Sequence, residues 1–351
     1  MQTEKKKIAV LFGGCSSEYG VSLQSAHAVI THINREKYEP VLIGITREGK
    51  WLIYRGQTDK ILENTWEEDS GCVPVVVSPD RQLHGLWIRE EEGIKTLSLD
   101  AAFPVLHGKN GEDGTVQGVL ELAGIPIVGC NVLASALCMD KDMAHRMAAA
   151  AGVKVPASVL LTVKEKEQAK ELAEELGYPV FVKPLRAGSS FGITKVMCEA
   201  ELEKAVKEAF AHDSLILMEQ MIEGFEVGCA VMGDEELTIG VVDEIELSEG
   251  FFDYTEKYTL KTSSIHVPAR ISSQKAEEIK RTAGTIYRAL RCSGFSRVDM
   301  FLTPTGEIYF NEVNTIPGFT SHSRFPNMMK GIGLGFAQIV NDLIGQTLQE
   351  M

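Results

Sequence analysis

The sequence predicts a protein of mixed α/β and α+β class, with an N-terminal parallel α/β domain followed by two α+β domains. Three observations support this class. The chain has 351 residues, more than one hydrophobic core usually organises. Lys7–Phe12 is a nearly continuous apolar run, as in a parallel strand buried on both faces. Helical and strand patterns then alternate along the chain, and the predicted domains are 1–138, 139–224 and 225–351.

In the first domain, the glycine pair after the first strand marks a tight turn into a helix. We expect Ser16 or Ser17 to cap this helix, which runs to about Asn34, so that Glu18 lies in its first turn. The other predicted elements are the strands Pro40–Ile45, Ala101–Leu106 and Ile125–Val128, and the helix Thr115–Ala123.

The second domain begins with a helix over Asp140–Ala151, with an Asp cap at its start and Gly152 after its end. Its other predicted elements are the helices Lys164–Leu176 and Glu199–Ala211, the strands Pro179–Lys183, Ile193–Val196 and Ser214–Glu219, and a glycine-rich loop over Arg186–Gly192. The third domain is predicted to contain strands near 226–232 and 238–245, a polar, aromatic loop at about 248–264, the helix Ser273–Leu290, a β-hairpin over 295–313 and a C-terminal helix.

Composition excludes several classes of partner. The net charge of −14 argues against nucleic acid and against anionic membranes as general partners. The apolar run Ile8–Phe12 is too short for a signal peptide, and no stretch approaches the length of a membrane-spanning helix. The seven cysteines are scattered without a CxxC pair, which favours a reducing, cytoplasmic location.

The predicted hairpin carries the most informative group of polar side chains. Because side chains alternate along a strand, Arg297 and Asp299 should share a face, as should Phe310, Glu312 and Asn314. A symmetric turn would place Arg297 opposite Glu312. Two carboxylates and an amide at this spacing suit hard cations, and Mg²⁺ shared with substrate phosphates fits best. The alternative is a solvated polar face held by a salt bridge.

Two segments could bind anions. Gly13-Gly14 before a helix exposes backbone N–H groups, although the segment is not GxGxxG and is explained as well by a tight turn. Lys183 ends a strand before a loop rich in glycine and serine, which could lay N–H and O–H donors over phosphates. This loop is not a P-loop, and a plain turn with an exposed lysine is an equal alternative.

Two further segments are suggestive only in combination. Residues 219–222 could bind a purine through their backbone, with Glu226 on the ribose, but by themselves they also fit an edge strand. The aromatic loop near 248–264 is long enough to be a lid over the site, or a surface flap packed by its own side chains.

Taken together, these motifs resemble the D-alanine–D-alanine ligase family of ATP-grasp enzymes over essentially the whole chain. The matching segments are GGCSSEYGVS (13–22), HGKNGEDGTVQG (107–118), MDKDMAH (139–145), VKPLRAGSSFG (182–192), GFEV (224–227), FFDYTEKY (251–258), SRVDMF (296–301) and NEVNTIPGFTSHS (311–323). Within the family the chain most resembles the vancomycin-resistance D-alanine–D-serine ligases of the VanG type. The resemblance implies an ATP-grasp fold whose second and third domains grip ATP.

The resemblance also implies a set of roles. The catalytic residues would be Glu18, Ser189, Arg297 and Gly318, with Glu18 on the ammonium of the first D-alanine. ATP would be bound by Lys141, Lys183, Glu219, Ile222, Glu226 and Lys257. Two Mg²⁺ ions, replaceable by Mn²⁺, would be held by Asp299, Glu312 and Asn314. The substrate and specificity residues would be His107, Asp243, Phe252, Tyr258, Ser323 and Arg324, with Ser323 on the carboxylate of the second amino acid.

Several positions depart from the commoner family pattern. They are Gly20 for an acidic residue, Ala187 for Glu, Gln220 for Lys, Phe252 for Tyr and Arg324 for Leu. The last two bear on the second substrate. Arg324 could reach a serine hydroxyl directly or pair with a carboxylate such as Asp243, and the alternative is a surface salt bridge. Phe252 removes a hydroxyl and leaves room.

The resemblance therefore implies an ATP-dependent ligase that joins D-alanine to D-serine through D-alanyl phosphate, for modified peptidoglycan precursors and vancomycin resistance. The main alternative is a housekeeping D-alanine–D-alanine ligase. Another ATP-grasp carboxylate–amine ligase and a non-catalytic nucleotide-binding regulator are less favoured, because the SHS and EKY segments and the metal ligands are all retained. The implied partners are D-alanine, D-serine, ATP and a second copy of the chain.

Overall fold

A computed structural model of the protein describes residues 4–186, 188, 192–247 and 263–349. Within these residues lie three β-sheets of seven, four and five strands. One sheet falls within each predicted domain segment, while the boundaries themselves remain predictions. The predicted residues Ser189, Phe252, Lys257 and Tyr258, together with Ala187, lie outside the described part of the chain. So does the predicted lid, apart from its last two positions.

The first sheet has a parallel centre and a long antiparallel extension. Its strands are β1 (Lys6–Gly13), β2 (Tyr38–Ile45), β3 (Trp51–Tyr54), β4 (Val73–Val77), β5 (Gly85–Glu90), β6 (Gly93–Ser98) and β7 (Ala101–Pro104). They lie in the order β6-β5-β4-β3-β2-β1-β7. The predicted parallel arrangement is found where β1 pairs with β2 and β7. Strands β3 to β6 were not predicted, because they are short and one face of the outer strands stays in water.

The helices around this sheet and the linker after it are short. They are α1 (Tyr19–His32), α2 (Asp59–Leu62), α3 (Thr115–Ala123), α4 (Val132–Met139) and α5 (Lys141–Ala150). The Asp140 cap of α5 is as predicted, since its carboxylate accepts from the Met143 N–H at 3.0 Å. The predicted serine cap of α1 is wrong. Ser16 Oγ instead donates to the His107 carbonyl at 2.6 Å, and Glu18 occupies the cap position itself.

The second sheet is antiparallel throughout. Its strands are β8 (Ser158–Thr162), β9 (Val180–Pro184), β10 (Thr194–Val196) and β11 (Leu215–Gln220), in the order β10-β9-β11-β8. The helices α6 (Ala169–Leu176) and α7 (Glu199–Phe210) cover one face. The single helix predicted from Lys164 is a 3₁₀ segment over Val163–Gln168 followed by α6.

The third sheet carries the hairpin. Its strands are β12 (Phe225–Met232), β13 (Thr238–Leu247), β14 (Ser263–His266), β15 (Phe295–Leu302) and β16 (Ile308–Asn314), in the order β14-β13-β12-β15-β16. The other helices among the described residues of this part of the chain are α8 (Ser273–Ala289), α9 (Arg324–Lys330) and α10 (Phe336–Gln349). The predicted C-terminal helix is α10, and the short helix α9 before it was not predicted. Among the described residues no helix combines the length and the apolar character needed to cross a bilayer.

The last part of the chain packs back onto the first sheet. Phe319 and Phe325 belong to the same hydrophobic core as Phe12 and Phe103 on that sheet. The ring centroids of Phe103 and Phe319 are 6.0 Å apart in an edge-to-face contact. This packing holds the segment after β16 against the end of β7.

Candidate active site

A cleft of about 490 Å³ lies between the second and third sheets. Its cationic lining consists of Lys141, Lys183, Lys195 and Arg270. Its acidic lining consists of Glu219, Glu226, Glu244, Glu246 and Glu312, and its apolar walls of Phe181, Ile193, Met221, Ile222, Phe225, Ile245 and Phe301. A cleft with flat apolar walls and clustered lysines suits a ligand that has both an aromatic ring and anionic groups.

Lys183 and Glu219 form a buried ion pair at the back of the cleft. Lys183 Nζ donates to Glu219 Oε1 at 2.6 Å, and both side chains are at most 7% exposed. Because the pair is buried, each charge depends on the other, and the loss of either would leave an uncompensated charge. The sequence placed both residues in the ATP site, and the structure brings them into direct contact.

His145 lies behind this pair and was not predicted as a site residue. Its Nε2–H donates to the Asn311 carbonyl at 2.9 Å, which assigns the tautomer and leaves Nδ1 as an acceptor. Nδ1 lies 3.7 Å from Glu219 Oε2, and neither atom has a hydrogen-bond partner within the described residues. Burial lowers the pKa of His145, which keeps the ring neutral.

Residues 219–222, at the end of β11 and just after it, line the cleft. Gln220 and Ile222 follow Glu219 directly along its wall, and Glu226 lies further along the same wall. Backbone groups of such a segment can bind a purine edge while the apolar walls enclose the ring. The purine-binding roles of these residues remain predictions.

The hairpin register differs from the symmetric one. Arg297 pairs with Asn314, and Asp299 pairs with Glu312, so the expected pairing of Arg297 with Glu312 is wrong. The turn holds one residue more than assumed, since Leu302 pairs with Ile308. A second extra residue, Asn311 on β16, forms a bulge opposite the step from Asp299 to Met300 on β15.

The bulge also changes which side chains share a face. Phe310 is fully buried in the core with Val313, whereas Asn311 and Glu312 both line the cleft. Phe310 and Glu312 therefore do not point the same way, contrary to simple alternation. The extra residue turns Glu312 toward the cleft and places it directly across from Asp299.

Asp299 is the centre of a buried polar network. Arg297 donates to both of its carboxylate oxygens, with Nε 2.8 Å from Oδ1 and Nη2 2.7 Å from Oδ2. The Asn314 amide donates to Oδ2 at 2.9 Å, and Arg324 Nη2 lies 3.4 Å from Oδ1. The predicted metal ligands are thus gathered at one place, together with the arginine predicted to act in catalysis.

This donor set fits Mg²⁺ better than a metal with an all-protein cage. No three His, Cys, Asp or Glu side chains converge as a metal site within the described ranges. Asp299, Glu312 and Asn314 instead offer oxygen atoms from two paired strands beside the cleft. Mg²⁺ commonly takes one or two carboxylates and completes its shell with phosphate oxygens and water.

Arg324 is buried, so a surface salt bridge is excluded. Its side chain is 8% exposed, and Nε and Nη2 form a fork with Asp243 at 2.7 and 2.8 Å. Its Nη1 donates to Glu226 Oε1 at 2.7 Å. Pairing with Asp243, one of the two arrangements expected from the sequence, is present.

Glu18 faces the two glycine loops. A Cβ added at Gly108 would lie 2.5 Å from Glu18 Oε2, and one at Gly188 would lie 2.8 Å from the same oxygen. Only glycine therefore allows both backbones to approach this carboxylate so closely. Gly188, which is a described residue after β9, therefore lies close to Glu18 at the start of α1.

His107 joins this corner to the segment after β16. Its Nδ1–H donates to the Ile316 carbonyl at 2.9 Å, and its Nε2 accepts from Ser25 Oγ at 3.1 Å. Ser25 Oγ in turn accepts from the Phe319 N–H at 3.3 Å. Burial lowers the pKa of His107, so the ring is held neutral between these partners. Its position suits the alignment of the backbone around Gly318.

Glu112 lies in the HGKNGEDGTVQG segment, and no role was predicted for it from the sequence. Its carboxylate accepts from the Gly108 N–H at 2.7 Å and from the Ile316 N–H at 3.3 Å. Burial, with the nearby Glu18 charge, raises the pKa of Glu112 to about 8. Its spacing from His107 was the available signal, but only the fold reveals that both side chains hold the same segment.

Gly318 and Ser323 are adjacent in space. A Cβ at Gly318 would lie 3.2 Å from Ser323 Oγ, and that Oγ accepts from the Thr320 N–H at 3.0 Å. Ser323 occupies the N-cap position of α9 without a capping side-chain hydrogen bond, and Arg324 is the first residue of that helix. The residues predicted for the oxyanion and for the second carboxylate therefore share one turn.

The gripping pair of antiparallel sheets, the lysine-lined cleft between them and the carboxylate hairpin define an ATP-grasp ligase. Models of the D-ala D-ala ligase N-terminus and C-terminus match residues 7–130 and 147–345. The chain belongs to the D-alanine–D-alanine ligase family. As a family these ligases are ATP-dependent and generally use Mg²⁺.

Three relatives illustrate the range within the family. The crystal structure of VanG D-Ala:D-Ser ligase from Enterococcus faecalis is 60% identical, with a TM-score of 0.92, and the match covers 98% of this chain and 100% of that one. The vancomycin B-type resistance protein VanB of Enterococcus faecalis is 46% identical over 97% of this chain and 98% of its own length. A D-alanine–D-alanine ligase of Caldicellulosiruptor bescii is 44% identical over 99% of this chain and 96% of its own length.

Proposed function

We propose that this protein is an ATP-dependent ligase that joins D-alanine to D-serine through D-alanyl phosphate. The dipeptide would enter modified peptidoglycan precursors and support vancomycin resistance. The observation that carries the choice of D-serine is the buried Arg324–Asp243 fork directly after Ser323. The 60% identity to a ligase named for D-Ala and D-Ser adds support.

ATP suits the cleft in size and chemistry. The purine ring would lie between the apolar walls near Phe181 and Phe301, with its edge on residues 219–222. The unpartnered Glu219 Oε2 would accept from the exocyclic amine, which would relieve an acceptor that otherwise stays buried without a donor. Lys141 and Lys183 would contact the phosphates.

Two Mg²⁺ ions are proposed at Asp299, Glu312 and Asn314, and Mn²⁺ could replace them. When bound, the metal would neutralise the charge of the transferring phosphoryl group. Asp299 already has its charge balanced by Arg297 and lies across from Glu312. The same residues can therefore face either the arginine or a cation without a large rearrangement of the strands.

The reaction would proceed by two transfers. The γ-phosphorus first bonds to a carboxylate oxygen of D-alanine while its bond to the ADP oxygen breaks. The amine of the second amino acid then attacks the acyl carbon, loses a proton and expels phosphate. Arg297 and the Gly318 N–H would stabilise the tetrahedral oxyanion, and one such donor is typically worth about 3–4 kcal/mol.

The first D-alanine would be held by Glu18, whose carboxylate faces Gly108 and Gly188. The second amino acid would place its carboxylate on Ser323. Ser189, Lys257, Tyr258 and Phe252 keep the roles that the resemblance implies. D-Serine adds one hydroxyl to D-alanine, and an apolar pocket discriminates weakly against such a group. A guanidinium–carboxylate pair beside the subsite offers polar groups where a leucine would offer none.

A homodimer is also proposed. The helices α3 and α4 expose apolar side chains next to one another, with Val119 40%, Leu122 64% and Leu133 56% exposed. Glu121 on α3 accepts from the Val132 N–H at 2.9 Å, which connects α3 to the start of α4. The exposed apolar side chains of the two helices therefore lie on neighbouring elements. Exposed apolar groups of this kind favour burial against a second copy of the chain.

The housekeeping D-alanine–D-alanine ligase is the alternative, and product analysis separates the two. With ATP, Mg²⁺ and equal D-alanine and D-serine, the purified protein should make mainly D-alanyl-D-serine, with residual D-alanyl-D-alanine. Arg324→Leu with Phe252→Tyr should shift the product ratio toward D-alanine by about 10- to 100-fold. The exposed Arg281→Leu is the control and should leave the ratio unchanged.

Mainly D-alanyl-D-alanine from the wild type would refute the D-serine assignment and leave the housekeeping ligase. ADP release that does not depend on D-alanine would instead favour another carboxylate–amine ligase. No ADP release under any condition would favour the non-catalytic regulator.

A further inference from the structure

The third sheet contains a lateral row of residues with a gap in its middle. Asp243 on β13, Gly228 on β12, Asp299 on β15 and Glu312 on β16 are register partners across four adjacent strands. Three of the four carry carboxylates, and the fourth has no side chain. The row is therefore acidic on both sides of an opening at Gly228.

The guanidinium of Arg324 fills this opening. A Cβ at Gly228 would lie 2.4 Å from Arg324 Nη2, 2.6 Å from Asp243 Oδ1 and 3.0 Å from Asp299 Oδ1. No side chain fits at position 228 while these three groups keep their places. The glycine is thus required by a close approach of three charged groups.

From this opening Arg324 reaches three strands at once. The fork on Asp243 anchors it to β13, and Nη2 lies 3.4 Å from Asp299 on β15. Nη1 extends along β12 to Glu226 Oε1 at 2.7 Å. Glu226 lines the proposed nucleotide cleft, and Arg324 directly follows Ser323 at the start of α9, so one side chain connects the cleft wall with the residue proposed for the second carboxylate.

We infer that Arg324 is a positioning residue that orients Glu226 toward the ribose of the nucleotide, and so links nucleotide affinity to the second amino acid subsite. This inference rests on the proposed ATP site, and it extends the role of Arg324 beyond the choice between D-serine and D-alanine. Glu226 is partly buried, and a charged hydrogen bond that fixes its carboxylate reduces the freedom that the carboxylate must lose on binding a diol.

Equilibrium binding of ADP and of 2′,3′-dideoxy-ADP, without any amino acid, tests the inference. Wild-type protein should bind ADP about tenfold more tightly than the dideoxy analogue, since a hydrogen bond to a charged group is worth about a factor of ten or more. In Arg324→Leu this ratio should fall to within about twofold, because ADP binding weakens while dideoxy-ADP binding changes little. Glu226→Gln should give the same low ratio, and the double variant should lose nothing further.

Gly228→Ala is a second route to the same result. It displaces the guanidinium and deletes no charge, whereas Arg324→Leu removes the cation from the fully buried Asp243 and risks unfolding the chain. Arg324→Lys keeps the charge without the fork and should restore the ratio only in part. Circular dichroism and thermal melting would confirm that each variant is folded, and Gly284→Ala and Arg281→Leu are the matched controls.

An unchanged ratio in a folded Arg324→Leu or Gly228→Ala variant would overturn the inference, even if the choice of second amino acid changes. A lowered ratio would support it even if the wild type makes D-alanyl-D-alanine. If the wild type itself binds both nucleotides equally, then Glu226 does not hold the ribose and the inference is also overturned.

Discussion

At the scale of single residues, the site is a set of carboxylates held in place by buried cations. Asp299 is paired with Arg297, Asp243 with Arg324, and Glu219 with Lys183. A buried carboxylate that loses its partner costs several kcal/mol, so these residues cannot be exchanged singly without a structural effect. Glu312 differs, because it lines the cleft and is only partly buried. It is therefore the proposed metal ligand best suited to substitution.

Glu312→Gln should leave the fold intact and lower ligase and ATPase turnover by at least about 100-fold, because the metal supplies several kcal/mol of charge stabilisation. The measurement is turnover at saturating Mg²⁺, with a melting curve to verify the fold. Glu307→Gln is the control, since Glu307 is an exposed carboxylate of the same hairpin that pairs with Lys154. Turnover near the wild-type rate in Glu312→Gln would refute the metal assignment.

At the scale of elements, helix α5 supports the bulge of the hairpin. The His145 N–H bonds to the Asn311 carbonyl, and the His145 ring packs edge-to-face on Phe310 with centroids 5.4 Å apart. Asn311 lies at the point where β16 departs from simple alternation, directly before Glu312. One buried side chain of α5 thus helps to determine which way a proposed metal ligand points.

His145→Ala should lower the free energy of unfolding by about 2–4 kcal/mol, since it removes buried ring volume and a hydrogen bond. It should also raise the Mg²⁺ concentration needed for half-maximal turnover, because the bulge that orients Glu312 loses its support. Chemical denaturation and the Mg²⁺ concentration for half-maximal turnover are the measurements. The exposed Arg146→Ala on the same helix is the control. A destabilised variant with an unchanged Mg²⁺ requirement would show that the bulge holds without α5.

At the scale of the whole molecule, the C-terminal segment packs against the first domain. Asn341 of α10 accepts from the Asn34 N–H at 2.8 Å, and the aromatic residues after β16 lie in the core of the first sheet. The turn that carries Gly318 and Ser323 is therefore fixed by the first domain as well as by the third. The exposed apolar residues of α3 and α4 lie outside this core and form the proposed dimer surface.

Leu122→Glu combined with Leu133→Glu should convert the proposed dimer into a monomer, raising the dissociation constant at least about 100-fold through charges placed in an apolar contact. Sedimentation equilibrium of wild type and variant measures this directly. Leu62→Glu is the control, because Leu62 is also 48% exposed but lies on α2. A wild type that sediments as a monomer at micromolar concentration would contradict the dimer.

The sequence by itself determined the class, the family and most of the regular elements. The Asp140 cap of α5 and the two strands of the hairpin were predictable, because caps and periodicity depend on residues close together in the chain. The motifs also indicated the candidate residues for the proposed nucleotide and metal sites. These signals are local, and a single chain carries them without knowledge of its neighbours.

Only the tertiary structure decided how these residues meet. The bulge at Asn311 altered the hairpin register, and one extra residue reverses the face of every side chain beyond it. The short strands β3 to β6 were missed, because such short segments are recognisable as strands only through their pairing outward from β2. Arg324 finds Asp243 across 81 residues of sequence, in a gap left by Gly228, and such a contact depends on packing between elements that no local pattern encodes.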